Sequence, residues 1–299
     1  MIANPLHSIR ETVLQTLHKL IHRAGLAIAL GISKTNVSSV ALIALVWLLL
    51  LANSARSQET EPTTAIVTDR PDVTESSIVV PKSSLQFENG ITWTTDHSNQ
   101  SVDFSETLVR LGISRRTELR LVIPNYLKTV TDSNVSGFDD IAVGAKQQLG
   151  PLWGHFDLAV IAALSLPTGA REISSHGFDP FIKFPWSRDL GKRWSLSGMQ
   201  SFFGNTKAGR RNLVWELTLM VEKEISGRWS AFGEYAGDFA QKGSSKQIMH
   251  FGTAYRITPK QQIDFHLGFR VSPAAPQHFV AVGYSIRLDG HPRRQPSVE

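Results

Sequence analysis

The segment QQIDFHLGFRV, residues 261–271, decides the fold because apolar and polar residues alternate along it without a break. The apolar residues share one parity, namely Ile263, Phe265, Leu267, Phe269 and Val271, and the intervening residues are Gln262, Asp264, His266, Gly268 and Arg270. Successive side chains of a β-strand point to opposite faces, so a period of two collects all the apolar side chains on one face. The segment therefore predicts a strand with one apolar face and one polar, ionisable face.

The same period recurs along most of the chain after residue 84. About twelve segments show it, each roughly ten residues or more, which is the length that a tilted strand needs to cross a bilayer. They begin near residues 84, 102, 117, 138, 154, 178, 193, 212, 228, 246, 261 and 278. An even number is what a closed antiparallel barrel requires. The pattern predicts an all-β fold, a closed antiparallel transmembrane β-barrel of about twelve strands.

The connections between these segments alternate in length. Tight connections fall at 114–116, 149–151, 189–191, 226–227 and 258–260. Longer polar ones fall at 95–101, 128–137, 167–177, 204–211, 238–245 and 272–277. Bacterial outer-membrane barrels have short periplasmic turns and longer outward loops. The alternation of short and long connections therefore predicts that both termini of the barrel lie in the periplasm.

The polar faces carry ionisable groups at mid-strand, which separates a membrane barrel from its alternative, a soluble β-sandwich or a lipocalin-like barrel. Unpaired charges in a dry core are costly, whereas charges in a water-filled lumen are not. The candidate lumen residues are Arg110, Arg120, Glu216, Glu234, Arg256, Asp264, Arg270 and Arg287. They could form a selectivity constriction, or a salt-bridge network that fills a narrow barrel.

The first 57 residues have the composition of a leader with a signal peptide. Lys34 precedes a short apolar run, Val40–Ala52, and small residues follow it, which predicts cleavage after Ser54 or Ser57. The alternative is a single transmembrane anchor. The leader holds five basic residues and one acidic residue, so the remainder has 26 basic against 25 acidic, and this balance gives no support for nucleic-acid binding. The chain has no cysteine, so no disulfide stabilises it.

The rest of the chain divides into three predicted parts: residues 58–84, the barrel at 85–288, and a polar tail at 289–299. The first is predicted to be a periplasmic N-terminal arm or a plug that folds into the barrel. Its candidate plug residues are Asp69, Arg70, Asp72 and Glu75. Aspartate and arginine form strong charge-assisted pairs with lumen charges, and Pro71 stiffens the chain between them.

Several motifs resemble an outer-membrane transporter family associated with the meta pathway of phenol degradation. They are TDRPDVTES at 68–76, VPK at 80–82, LQFENG at 85–90, LGISRRTELRL at 111–121, DDIAVGAK at 139–146, LSLPTG at 164–169 and Glu234-Tyr235. The likeness runs from about Thr68 to Leu288. One departure is the end of the chain, where 289–299 follow the last strand in place of a terminal aromatic residue. The resemblance implies a barrel fold and transport of small compounds, including aromatic ones.

The predicted function is an outer-membrane channel or transporter for passive passage or binding of small solutes, aromatic or hydrophobic ones included, in the bacterial outer membrane. The expected partners are the lipid bilayer, the solute and the barrel-assembly machinery, and no nucleic acid, cofactor or metal is expected. The alternatives are a non-conducting structural or adhesive barrel, and a barrel-borne lipase using Asp264 and His266. Catalysis is disfavoured because nothing in the sequence places a serine beside His266, and the ten histidines lack metal-binding spacing.

Overall fold

The computed structural model describes residues 65–97, 99–130, 134–152 and 155–290. The predicted leader, its cleavage sites and the tail beyond residue 290 lie outside these ranges. In the described ranges, no helix has the length and apolar character needed to cross a membrane.

Fourteen strands form one antiparallel sheet. In chain order they are β1 Ser84–Asp96, β2 Asn99–Gly112, β3 Thr117–Val122, β4 Tyr126–Val130, β5 Val135–Phe138, β6 Ile141–Leu152, β7 Phe156–Leu166, β8 Asp179–Gly191, β9 Trp194–Lys207, β10 Arg210–Ser226, β11 Trp229–Ala240, β12 Lys246–Thr258, β13 Gln261–Arg270 and β14 His278–Asp289.

The sheet closes on itself, because β1 pairs with β2 on one side and with β14 on the other. The closing register runs from Ser84↔Asp289 to Thr95↔His278. Both β3 and β4 pair with β2, so they occupy one position in the ring, and β5 and β6 together occupy the next. The fourteen segments therefore make twelve strand positions, which confirms the predicted closed barrel.

Two neighbouring strand positions are interrupted at the same level. Between β3 and β4 lies Pro124, which has no N–H to give to the ladder. Between β5 and β6, the Asp139 N–H donates to the Asn125 carbonyl at 2.8 Å. The Asp140 carboxylate accepts the N–H groups of Gly169 and Ser175 at 2.9 and 3.0 Å, which holds the long connection 167–178 against this part of the wall.

The two ends of the barrel differ in their connections. The end that holds the barrel's termini has short turns, and the other end carries the longer connections 167–178, 241–245 and 271–277. The predicted long loops at 95–101 and 204–211 are wrong, because the ladders continue to Asp96↔Asn99 and Arg210↔Lys207 and leave tight turns. The residues there are polar on both faces because these hairpins extend past the apolar band into water.

Apolar side chains are exposed and charged side chains are buried, which is the reverse of the arrangement in a soluble protein. Large apolar side chains at mid-strand face outward, with Phe265 43%, Leu219 49% and Val282 47% exposed. Charged side chains of the opposite parity, such as Glu88 and Lys146, are fully buried inside the ring. Several exposed tryptophan and tyrosine residues lie near strand ends, namely Trp93, Trp194, Trp229 and Tyr255, as in the girdles expected at bilayer interfaces. The apolar parity therefore faces lipid, as the sequence predicts.

A closed ring has no free strand edge, so it should resist detergent until it is heated. We expect unboiled protein to migrate differently from boiled protein on a detergent gel. Identical mobility of the two samples would contradict closure of the ring.

Candidate functional site

The lumen contains residues 65–83, the part of the chain that precedes β1, here called the N-terminal segment. Several of its side chains are buried, including Ile66, Asp69, Thr74 and Val80. Side chains around the ring bond to it, namely Glu88 of β1, Arg110 of β2, Glu118 and Arg120 of β3, Lys146 of β6, Lys183 of β8, Glu234 of β11, Gln262 of β13 and Arg287 of β14. The segment is therefore anchored to opposite sides of the wall.

Asp69 is at the centre of the larger cluster of contacts. Arg120 donates to its carboxylate at 2.5 Å, and the Lys146 ammonium lies 2.9 Å from both oxygens. Arg110 Nη1 lies 3.4 Å from Asp69 Oδ2. The Ser76 N–H also donates to this carboxylate, at 2.8 Å, which fixes the bend of the segment around Asp69.

Two wall carboxylates complete this cluster. Glu88 accepts the Asp69 N–H at 2.8 Å and Arg110 at 2.8 Å. Glu118 accepts from Arg110 and Arg120 and also accepts the Val80 N–H at 2.7 Å. Three cations thus face three carboxylates, and one of the carboxylates belongs to the segment. The charges balance only while Asp69 is docked, since a buried unpaired charge is strongly unfavourable.

Glu75 makes a second bridge across the lumen. One of its oxygens accepts from Arg120 of β3 at 2.6 Å, and the other accepts from Lys183 of β8 at 2.6 Å. Burial raises the pKa of Glu75, but Arg120 and Lys183 outweigh this effect and keep the pKa below its ordinary value. Burial likewise opposes ionisation of Asp69, and its neighbouring cations hold that pKa well below the usual range. Both carboxylates are therefore ionised at neutral pH.

A second cluster begins beside the first, at Glu106 of β2, and extends through β13 and β12 to Glu234 of β11. Arg70 pairs with Glu106 at 2.6 Å and lies 3.7 Å from Asp264 and 3.3 Å from His266 Nε2. His266 Nδ1 is 2.7 Å from His250 Nε2, and His250 Nδ1 is 3.0 Å from Glu234.

Glu234 ends this chain of contacts and holds the segment directly. Its carboxylate accepts the N–H groups of Val73 and Thr74 and the Thr74 hydroxyl, at 2.6–2.8 Å. A carboxylate that accepts several backbone N–H groups makes strong charge-assisted bonds. The segment is therefore held at its backbone as well as at its charged side chains.

Asp72 differs from the other acidic residues of the segment. Burial raises the pKa of its carboxyl, and the nearby Glu234 and Glu222 carboxylates raise it further, so the pKa lies well above its ordinary value of 3.8. Asp72 therefore opposes docking when it is ionised, while Asp69 and Glu75 favour it.

The structure brings together most of the residues selected from sequence. The candidate lumen residues that contact the N-terminal segment are Arg110, Arg120, Glu234, Asp264 and Arg287. The others face the lumen without a hydrogen bond or ion pair to residues 65–83: Glu216 bonds Ser201, Arg256 lies 3.9 Å from Glu224, and Arg270 is exposed at the loop end. The candidates Asp69, Arg70 and Glu75 all pair with wall charges, and their role as a plug stays a prediction.

Several partners were absent from the predicted site, namely Glu88, Glu106, Glu118, Lys146, Lys183 and His250. Five of the six carry a sequence signal, because they share the inward parity of a strand that supplies predicted lumen residues or alternates clearly, as Glu118 does with Arg120. Glu106 is one of these five, since it shares the parity of Arg110 on β2. Lys183 carries no such signal, because apolar and polar residues do not alternate along β8, where Phe181 has the parity of Lys183.

The geometry bears on the lipase alternative. The ring nitrogens of His266 contact His250 and Arg70, so in the described ranges its hydrogen-bond partners do not include a serine. Those ranges also hold no group of three or more histidine or acidic side chains arranged to bind a metal ion.

The chain is similar to a known protein family and to solved structures of outer-membrane proteins. The model of a family described as "Putative MetA-pathway of phenol degradation" matches residues 68–288. An outer membrane channel from Pseudomonas putida F1 superposes with a TM-score of 0.60 at 13% identity, over 73% of this chain and 99% of that one. This likeness shows a shared fold. The NanC porin gives a TM-score of 0.49 at 13% identity, over 68% and 100%, and the CymD monoaromatic hydrocarbon channel gives 0.39 at 8%, over 71% and 90%. No curated protein matches the sequence.

Proposed function

Because the chain belongs to the family whose model covers residues 68–288, we propose that it is an outer-membrane channel for small solutes, closed at rest by its own N-terminal segment. The solutes are small and include neutral aromatic or hydrophobic molecules. They pass without a cofactor and without energy coupling. In this proposal the N-terminal segment is the plug, and Asp69, Arg70 and Glu75 are the residues that hold it.

One observation carries the proposal: the segment is held in the lumen mainly by charged side chains of the wall, and it is not a strand of the sheet. Hydrogen bonds to carboxylates, guanidinium groups and ammonium groups can be exchanged for bonds to water when the segment moves. An apolar plug would expose its apolar surface to water on leaving, at roughly 25 cal/mol for every Å². A charged lumen that has lost the segment is also the lining of an aqueous pore.

The same cluster favours a second candidate, a non-conducting barrel with a structural or adhesive role. Arg110, Glu118 and Lys146 are fully buried, so their pairs could serve only to fill a narrow barrel. The two candidates differ in what happens when the segment is loosened. In a channel a conducting path appears, whereas in a structural barrel the wall collapses or stays closed.

Permeation by the purified protein tests the proposal. The protein is reconstituted into liposomes, and swelling is followed in uncharged solutes of increasing size. We expect swelling above that of protein-free liposomes for the smallest solutes, and a larger effect when Asp69 is replaced by asparagine. Swelling equal to the protein-free rate in both proteins would favour the structural barrel.

The raised pKa of Asp72 predicts a pH dependence of closure. The docked state holds a proton on Asp72 that the undocked state releases above its ordinary value of 3.8. The contribution of Asp72 to docking is therefore largest below that value, and it declines as pH rises from there through the raised pKa. We expect the open probability in planar bilayers to increase with pH, and Asp72→Asn to reduce this increase. The control is Asp238→Asn, which changes a lumen carboxylate opposite Lys246. An unchanged pH profile in Asp72→Asn would contradict the prediction.

The proposed channel has three partners, namely lipid, solute and the assembly machinery. The outward apolar parity contacts lipid, and the solute contacts the lumen. Insertion of the barrel is expected to need the barrel-assembly machinery, although the chain continues past β14 into 290–299. Nucleic acid is not a proposed partner.

A further inference from the structure

A cavity of about 620 Å³ lies at the end of the barrel that carries the long connections. Residues of the connection 167–178 line it on one side, and the turn between β9 and β10 lines it on the other. This end is opposite the short turns and therefore faces outward from the cell in the topology of such barrels. A volume of this size is within the range of small-molecule pockets.

Two phenyl rings line the inner part of this outer cavity. Phe181 of β8 and Phe203 of β9 form a register pair, and their ring centroids are 5.6 Å apart with planes tilted by 36°. Both have the inward parity of their strands. Tilted and offset ring arrangements at this spacing are favourable, and a third ring can extend them.

Acidic side chains outnumber basic ones in the rest of the lining. Asp140 and Asp179 are already committed to the protein: Asp140 holds Gly169 and Ser175, and Asp179 accepts from Thr206 and Arg211. Asp139 and Glu172 add two carboxylates, while Lys207 is the one lysine or arginine among the lining residues that the structure describes. The lining therefore repels anions, and its carboxylates can accept a hydrogen bond from a hydroxyl group.

From these features we infer that the outer cavity binds a small neutral aromatic molecule that carries a hydroxyl group. Its ring packs against Phe181 and Phe203, and its hydroxyl donates either to Glu172 or to Oδ2 of Asp139, whose Oδ1 already accepts the Asp140 N–H at 2.7 Å. An aromatic carboxylate of the same size is disfavoured because its charge has the same sign as the lining. This binding site rests on the proposed function and extends it, because it gives the transported solute an entry site at the outer end of the barrel.

The rings of this site also contact the residue that holds the plug. The Lys183 ammonium lies 5.5 Å from the Phe181 centroid and 5.6 Å from the Phe203 centroid, within the range of a cation–π interaction. The same ammonium donates to Glu75 of the N-terminal segment at 2.6 Å. Lys183 lies two residues deeper along β8 than Phe181. The outer cavity is thus directly adjacent to an anchor of the segment.

Binding to the detergent-solubilised full chain tests the inference without any measurement of transport. Phenol, benzoate and cyclohexanol are titrated by calorimetry into the wild type, Phe203→Ala and Phe202→Ala. Phe202 is the neighbour of Phe203 on β9, has the outward parity and is 36% exposed, so Phe202→Ala is the matched control. Wild type should bind phenol more tightly than benzoate or cyclohexanol. Loss of one ring contact should weaken phenol binding roughly tenfold in Phe203→Ala and leave it within about twofold in Phe202→Ala.

The outcomes separate this inference from the proposed function. Equal phenol affinity in Phe203→Ala and wild type, or benzoate binding as tightly as phenol, would overturn the site. The heat-dependent gel shift verifies that each variant is a folded barrel. A protein that binds phenol in this way but never conducts would leave the site in place and refute the channel, whereas a conducting protein without phenol binding would refute the site alone.

Discussion

Replacing Asp69 by asparagine should open the channel. The substitution keeps the size of the side chain and removes its charge, which leaves Arg110, Arg120 and Lys146 facing only Glu88 and Glu118 within this cluster. Asp69 is 2% exposed at its side chain, so water screens the excess positive charge poorly. Removal of one partner of a buried ion pair costs about 3–5 kcal/mol. Because the cost falls on the docked state, the ratio of undocked to docked segment should rise by roughly a hundredfold or more.

Single-channel recording in planar bilayers measures this change as open probability. Wild type should be closed for most of the recording, and Asp69→Asn should show frequent or sustained openings. Asp238→Asn is the control, since it removes a lumen carboxylate whose pairing partner in the register is Lys246 and not the N-terminal segment. If Asp69→Asn remained as silent as Asp238→Asn while both retained the gel shift of a folded barrel, the segment would not be the gate.

Most of the fold could be predicted because one local rule governs it. In a strand that separates lipid from a polar lumen, apolar and polar residues must alternate. The faces of residues such as Phe265 and Asp264 can therefore be assigned from the local sequence alone. The rule stops applying where both faces are in water. The strand ends at Asp96, Asn99, Lys207 and Arg210 therefore lie in segments that the sequence predicts as loops. The interruption at Pro124 also escaped prediction, since the residues on both sides of it still pair with β2.

The site could be predicted only as a set of charges, not as an arrangement. Parity identifies Arg120 and Glu234 as inward residues, but nothing local shows that Arg120 meets Asp69 across 51 positions or that Glu234 accepts the N–H of Thr74 across 160. Those contacts depend on the path of the N-terminal segment, which has no periodic pattern of its own. The alternatives of exposed arm and plug were therefore equally compatible with the sequence, and the choice requires the three-dimensional contacts.

An arginine in place of Phe265 should destabilise the barrel far more than the same change near a strand end. Phe265 lies in the middle of β13, has the outward parity, and is 43% exposed beside Val282 of β14. Charge at the midplane of a membrane barrel costs about 2–4 kcal/mol, and this cost falls to about 0–1 kcal/mol near the interfaces. Ile225 provides the matched position, because it is also outward and 45% exposed but lies at the end of β10.

Reversible unfolding by denaturant in lipid vesicles would measure both free energies of unfolding. Phe265→Arg should lose several times more stability than Ile225→Arg, and Phe265→Leu should lose little because it keeps an apolar side chain against the acyl chains. The difference between the two arginine variants isolates depth in the bilayer, since both residues are outward, apolar and similarly exposed. Equal losses would mean that the outward parity does not face hydrocarbon. A water-exposed outer surface would also remove the reason for the charges inside, because an inside-out arrangement is stable only when lipid surrounds it.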